Sequence, residues 1–505
     1  MTVAGAVLMI GLDMGDGRLL ERWAGQGHLP AVAGLLRNGR GQAVDTTADA
    51  LHVSGWPSLY TGTHPGEHGV YYTFQPAPGQ QGWLKFQGDQ YGRPTFWSLL
   101  AGAGVRCSVL DAPYTHPESA GATQVIDWGS WAPYWKPAST PAELIDRLTR
   151  ARGRYPLGFH ALDVGMDRLD PAEMSRKLVP AARAKTEAAQ WLMAERPWDL
   201  FFTVYGESHA AAHYCWGDEA ALRAVYEEID RGIGALATQA GPEATVYLVS
   251  GDGVGPNQAG WHLLPEVLRR LGYLAEPSEG GGATAQPAGR RSLDPVKLLR
   301  DLLPKDLRKA IARKLLPDAL RHRLAQRVDT AAVDWSRTRA YCLPTDLEGH
   351  IRINLRGREP QGSVSPGQEY QRVCDELAAA LEALIQPETG RRAVRAVLRT
   401  DDLYPGPRRD YLPDLIVLWS EGAPFTALAS QAVETVTGLS PDGRPGTHVP
   451  PGYLIRAGRG AEGLGRVGHI CEVAPELLRR FGVAVPDYMG RAPAAMPAGS
   501  RGGVS

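Results

Sequence analysis

The stretch Trp198–Asp218 reads WDLFFTVYGESHAAAHYCWGD. It opens on a short apolar run that ends at a glycine, the pattern of a buried strand. Two histidines then stand four residues apart, His209 and His213, with only alanines between them. That spacing puts both rings on one face of a helical turn, close enough to share a metal ion. Taken alone, such a pair is more often a surface or core feature than a pair of ligands. The apolar run before it adds a constraint, because a strand delivers the residues after it to the edge of a sheet.

Working outward, the same kind of run recurs. VAGAVLMIGLD (3–13), VRCSVLDAP (105–113), TVYLVSGDG (245–253), PDLIVLWS (413–420) and PGYLIRAG (451–458) all read as strands. Helical spacing with glycine stops lies between several of them, as in GRLLERWAGQGHLPAVAGLLRNG (17–39). Alternating strands and helices predict an α/β fold with a central, mostly parallel sheet and helices on both faces. Ligands of such sheets sit beyond the carboxyl ends of the strands. Asp13, the His209 pair, Asp252 and the segment around His448 all follow strand-like runs, so they are expected at one edge.

A length of 505 residues exceeds one ordinary core, and the composition (43% hydrophobic, 22% charged) is that of a globular protein. A net charge of −1 gives no global attraction to nucleic acid or to anionic membrane. The odd set Cys107, Cys215, Cys342, Cys374 and Cys471 contains no CxxC pair, which argues against a disulfide framework and a cysteine zinc site. The N-terminal apolar run lacks a basic flank and is too short to span a bilayer, so a cytoplasmic protein is expected. EGGGATAQPAGR (279–290) has the composition of a flexible linker. From Arg290 to Arg327 the chain carries 12 Lys/Arg against four Asp, with leucines at helical spacing cut by prolines. This reads as a basic helical insertion that packs on the core, or as a cationic flap over an anionic substrate. The expected organisation is a catalytic core over 1–278, the linker and insertion over 279–330, the rest of the core over 331–490, and a disordered tail over 491–505.

Several residues are candidates for chemistry. Asp252 lies between two glycines in GDG, where the backbone can turn its carboxylate toward a ligand, or simply make a turn. Asp13 in GLDMGDG has the same two readings. In ALHVSGWPSLYTGTHPGEHGV (50–70), Ser54 stands before a segment able to start a helix. It can cap that helix. It can also act as a nucleophile, its alkoxide favoured by the helix N-terminus and by a metal ion. His64, His68, Tyr71, Tyr72, Trp216 and Asn257 are candidates to line a pocket.

These pieces, taken in order, resemble the type I phosphodiesterase/nucleotide pyrophosphatase family of the alkaline phosphatase superfamily. Residues 10–39 resemble that family's opening strand, metal aspartate and first helix. TGTHPGEHG (61–69), GTHVPPGYLIRAG (446–458) and HICEVAPELLRRFGVAVPDYMGR (469–491) resemble its TG-x-x-P-x-x-HG run, its GTH segment and its closing strand and helix. RINLRGREPQGSV (352–364) and PDLIVLW look like its middle segments. The resemblance implies an alkaline phosphatase-like fold and two metal ions, usually zinc. One site takes an aspartate, a histidine four residues later, and a late histidine. Matched here, these are His209, His213 and His448, with His209 where the family commonly has aspartate. The second site takes an early aspartate, the nucleophile and an Asp-His pair. Asp13 matches the first. The pair reads Gly251-Asp252, so Asp252 falls at the histidine position.

Anchoring on the residues before the nucleophile gives Ser54, whereas an ungapped count from Thr46 and Thr47 gives His52. Ser58 and Thr47 are more remote alternatives. The resemblance then implies a zinc-dependent phosphohydrolase acting on a small phosphodiester or nucleotide substrate, with Ser54 attacking phosphorus to form a phosphoserine. No basic residue near Ser54 is evident, which predicts a preference for diesters over monoesters. The alternative is a non-catalytic or one-metal relative, acting as a binding module or a phosphoryl transferase.

Overall fold

The computed structural model describes residues 5–86, 91–117, 121–130, 137–157, 170–277, 333–422, 424–441, 443–494 and 496. The expected insertion at 279–330 lies outside the described residues, as does most of the expected tail.

The first strand, β1 (Val7–Leu12), is buried along its whole length. Its side chains alternate between two cores. Val7 and Met9 belong to one cluster, and Leu8, Ile10 and Leu12 to another. A strand covered on both faces must read as a continuous apolar run, and that is why the sequence shows no polar alternation there. The sheet around it also contains β2 (Gly39–Val44), β3 (Cys107–Leu110), β4 (Thr123–Ile126), β5 (Ala138–Thr140), β6 (Leu200–Tyr205), β7 (Thr245–Ser250) and, near the end of the chain, Gly452–Gly458. The spatial order is β2, Gly452–Gly458, β7, β1, β6, β3, β4, β5. The five central strands are mutually parallel, and the remaining three pair antiparallel toward the edges. This is the predicted α/β sheet. One face is covered by helices that include Gly17–Gly25, Pro171–Glu195 and Glu219–Ala240, the other by helices that include Gly55–Thr61, Phe96–Gly102 and Val473–Arg480.

PDLIVLWS does form a strand, but not in this sheet. Leu415–Trp419 belongs to a four-stranded antiparallel sheet with Ala340–Cys342, Gly349–Ile353 and Val394–Arg399. Gln368–Glu382 packs on it to form a separate core. Beside this core lies a buried ion network. Arg358 pairs with Glu359 and Asp414, Arg352 with Glu359, and Arg409 with Asp414. The loop that enters Gly349–Ile353 carries Asp346 and Glu348 to the carboxyl edge of the large sheet.

His448 also reaches that edge by a route the sequence does not announce. It precedes the strand Gly452–Gly458 and sits on a short strand, Gly446–Val449, paired antiparallel with Gly253–Pro256. Because Gly452–Gly458 runs against β7, its leading end lies at the carboxyl end of its neighbours.

Candidate active site and metal centre

Glu207–Cys215 forms the predicted helix immediately after β6. Ser208 fastens its first turn by donating to Asp13 O at 2.7 Å, which ties the helix to the end of β1. His209 and His213 are both buried, with ring centroids 4.3 Å apart and Nε2 atoms 3.2 Å apart. The intervening alanines are not incidental. Gly446 passes so close to the helix that a Cβ there would lie 2.0 Å from Ala212 O. Small residues on both sides let His448 approach, with its ring centroid 5.1 Å from each of the other two. One potential ligand atom from each histidine lies within 4.8 Å of the others.

The outer nitrogens explain how these rings are aimed. His213 Nδ1 donates to Gly446 O at 2.8 Å, and a carbonyl only accepts, so Nε2 keeps its lone pair. His448 Nδ1 lies 2.6 Å from Asp252 Oδ2. A carboxylate or carbonyl behind each imidazole is how metal-binding histidines are oriented. Burial pushes His209 and His213 well below the ordinary histidine pKa, and neighbouring positive charge, including Arg444, pushes the same way. Both are therefore neutral at pH 7, as ligands must be. Three imidazoles suit zinc and leave a fourth position open.

Of the residues expected at a second ion, Asp13 and Asp252 both line the cleft with His209 and His448. Asp13 Oδ1 accepts from the indole of Trp56 at 2.8 Å. Asp252 is engaged with His448, and Gly251 offers no side chain. Among the described residues, the three histidines are the one group whose ligand atoms converge. Asp252 Oδ2 faces Nδ1 of His448, and Asp13 lines the same cleft beside Trp56.

Ser54 is placed differently from the expectation. It sits at the head of the helix Gly55–Thr61, but its side chain caps nothing. Its hydroxyl donates to Leu51 O at 2.6 Å and lies 2.8 Å from Thr47 Oγ1. Thr47 in turn lies 2.9 Å from Ser58 Oγ, and Ser58 lies 3.0 Å from His68 Nε2. All three hydroxyl candidates therefore belong to one buried chain, each fully shielded from solvent. None lines the cleft. His52, the residue of the ungapped count, does.

The side chain of His52 is 2% exposed and its ring centroid is 5.0 Å from that of His448. Its Nδ1 lies 2.7 Å from Glu348 Oε2 and its Nε2 lies 3.0 Å from Asp346 Oδ1. Burial works to lower its pKa, but the two carboxylates outweigh that and push it up to about 10. Asp346 is held well below the usual carboxylate range: burial alone would raise it, but His52 and Arg444 overcome this. Nothing in the sequence marks Asp346, Glu348 or Arg444. They are isolated charges in irregular segments, without period or motif. Of the residues expected to line a pocket, Tyr72 does so. His68 and Tyr71 are fully buried, and Trp216 borders a separate cleft with Arg18 and Arg22.

The model of the family described as type I phosphodiesterase / nucleotide pyrophosphatase matches residues 7–447, which takes in every residue of the site except His448. No curated protein matches the chain. Among solved structures, phosphonoacetate hydrolase from Sinorhizobium meliloti 1021 in complex with phosphonoformate is similar at 13% identity, over 95% of this chain and 96% of that one, with a TM-score of 0.54. The alkaline phosphatase PafA is similar at 12% identity, over 98% of this chain and 99% of that one, with a TM-score of 0.53. At such identities the likeness concerns the fold, and that fold is alkaline phosphatase-like. The chain belongs to the type I phosphodiesterase/nucleotide pyrophosphatase family, hydrolases within the alkaline phosphatase superfamily.

Proposed function

We infer that the protein hydrolyses a phosphodiester or pyrophosphate bond of a small molecule at a single divalent ion held by His209, His213 and His448. The observation that carries this reading is the convergence of three imidazoles, two buried and one partly exposed, with a carbonyl behind one and a carboxylate behind another. An ion there, zinc by the chemistry of the donor set, supplies Lewis-acid activation of water and of a phosphoryl oxygen. The remaining work falls to the chain. Asp252 and Gly446 keep two of the rings aimed. His52, clamped by Asp346 and Glu348, has both nitrogens engaged, so it offers no lone pair for attack.

A phosphoserine on Ser54 has little support from this geometry. Its hydroxyl faces Leu51 O and Thr47, away from the cleft. Direct attack by water in line with the leaving oxygen suits the site better. The same lack of a free hydroxyl favours, as a second reading, a binding module without turnover. The test is the metal content of the purified protein with hydrolysis of a chromogenic phosphodiester, beside His213→Ala and His448→Ala. About one ion per chain and turnover in wild type, both lost in the variants, is the expected result. Metal without turnover on any diester or pyrophosphate would leave the binding module. No metal in any of the three would sink the proposed centre.

A further inference from the structure

The cleft around the three histidines is small. Its volume is about 60 Å³, with Asp13, His52, Trp56, His209, Asp252 and His448 on its walls. A water molecule needs about 10–15 Å³ of such space, so a phosphoryl group fits and an organic substituent does not. A phosphodiester carries two organic groups, and both must extend beyond these walls. A hollow of about 120 Å³ shares His448 with this cleft and is bordered also by Pro256, Gln258 and Val449. Those last three residues border a third space, the cleft of Trp216, whose volume is about 560 Å³. The three spaces follow one another along the strand pair Gly253–Pro256 and Gly446–Val449.

The large cleft suits an uncharged ligand. Leu19, Trp216, Val254, Pro256 and Val449 give it apolar walls. Its charged and polar side chains are already engaged. Arg18 Nη2 lies 2.7 Å from Asp16 Oδ2, Arg22 Nη2 lies 3.1 Å from Glu219 Oε1, and Glu421, mostly exposed, lies 3.9 Å from Arg395. Gln258 Oε1 accepts from Gly422 N at 2.8 Å, and Gln258 Nε2 donates to Gly422 O. An ionic ligand has to displace one of these pairs, whereas an apolar one displaces only water. Gly255 keeps the wall open, since a Cβ there would lie 2.7 Å from Val449 Cγ1. Trp216 is half-buried, and its Cβ lies so near Gly446 that a Cβ there would be only 2.7 Å away. Apolar walls with an aromatic side chain and a few fixed polar groups are the usual make-up of a small-molecule site, and an indole pairs best with another flat ring.

We propose that this cleft is a binding site for a flat, uncharged aromatic group held against Trp216, and that the substrate of the metal centre carries such a group on one of its ester oxygens. The place in the substrate rests on the proposed one-ion site. The binding site itself does not, because none of its walls is a residue of the three-histidine centre.

The probe for the site is 2-naphthol, titrated by calorimetry into chelator-treated full-length protein: wild type, Trp216→Ala, Trp216→Phe and Leu19→Glu. Wild type should bind it, and Trp216→Ala should weaken it about tenfold or more, through the lost ring pair and the lost apolar area. Trp216→Phe should recover part of that loss. Leu19→Glu brings a charge into the same cleft from another helix and should weaken binding as well, which keeps the site testable if Trp216→Ala melts out. The place in the substrate is read from two diesters with one leaving group, methyl 4-nitrophenyl phosphate and 2-naphthylmethyl 4-nitrophenyl phosphate, on metal-loaded protein. Wild type should favour the naphthylmethyl ester about tenfold or more in kcat/KM, mainly through KM, and Trp216→Ala should remove the preference. No binding of 2-naphthol by wild type, or affinities within about twofold in wild type, Trp216→Ala and Leu19→Glu, would overturn the site. Binding that depends on Trp216 without any preference between the esters would overturn its place in the substrate. Failure of the one-ion reading looks different: neither ester is turned over while 2-naphthol still binds, which keeps the site and strikes its place in the substrate.

Discussion

Ser54→Ala removes one hydroxyl from the middle of a buried chain that runs from Leu51 O through Thr47 and Ser58 to His68. Leu51 O keeps the Ser54 backbone N–H at 2.8 Å, so its loss is small. Thr47 loses a partner at full burial, which costs about 1–3 kcal/mol. Melting entropy of about 2.1 cal/mol/K per residue gives about 1 kcal/mol/K if the 505 residues melt together. The melting temperature should therefore fall by about 1–3 °C. Turnover of a chromogenic phosphodiester should stay within about threefold of wild type, under about 0.7 kcal/mol in the barrier. His52→Ala should behave oppositely. It leaves Glu348 and Asp346 facing each other without the imidazole between them, a cost of about 3–5 kcal/mol for a broken buried pair, and turnover should collapse. Differential scanning calorimetry and steady-state kinetics on the two variants decide the matter. A loss of a thousandfold or more in Ser54→Ala, with metal and melting point kept, would make Ser54 the nucleophile and refute direct attack by water.

Asp252→Asn should weaken metal binding about 10- to 100-fold without abolishing it, since it loosens the ring of His448 but removes no ligand; competition with a chelator measures this. Metal-free protein should lose stability as pH falls below about 6.5, because burial lowers the pKa of His68, His209 and His213, and that of His350 to about 4, so the unfolded chain binds their protons more tightly. His52 has the opposite sign: its contribution is complete below about 6.5 and is lost progressively as pH rises to about 10, so melts across pH 5–10 should show a maximum near pH 6.5, and a flat profile would discount both. Diesters should exceed monoesters sharing one leaving group by tenfold or more in kcat/KM; a monoester favoured by wild type would count against the diester assignment.

The large sheet was legible because strands covered on both faces must be short apolar runs, and β1, β3, β6 and β7 are such runs. Sheet membership was not. PDLIVLWS is as apolar as the others, but an apolar run carries no record of its partner, and it pairs in the second sheet. The histidine pair was legible because helical spacing fixes relative direction. Which of His52 and Ser54 faces the cleft was not, because the two share a 3-10 turn. Three residues make one revolution there, so two positions apart point to different sides. Preferring the hydroxyl on chemical grounds picked the side that faces inward. Trp56 lies in a segment that reads as ordinary apolar helix, so nothing in its spacing foretells an indole donating to Asp13.

The departures from the family pattern make sense as one coordinated change. Relative to the pattern implied by the resemblance, an aspartate is replaced by His209 and another by Gly251, which removes two negative charges. Asp252 in place of histidine restores one. His52 in place of a neutral hydroxyl adds one positive charge, held by its two carboxylates. Over these four positions the net change is two units more positive, before the Asp346 and Glu348 carboxylates that hold His52 are counted. A site that kept its aspartates but lost an ion would hold uncompensated carboxylates, at several kcal/mol each. A site that gained histidines but kept both ions would carry excess positive charge. Two contacts bear on the second half of the site: Trp56 donates to Asp13 Oδ1, and Gly251 leaves its nearest neighbour, Gly55, 3.6 Å from where a Cβ would lie. That gap can receive a side chain again. Reinstating aspartate at 251 should therefore be tolerated by the fold and yet bring no second ion while Trp56 remains, because the other half of the site is already engaged.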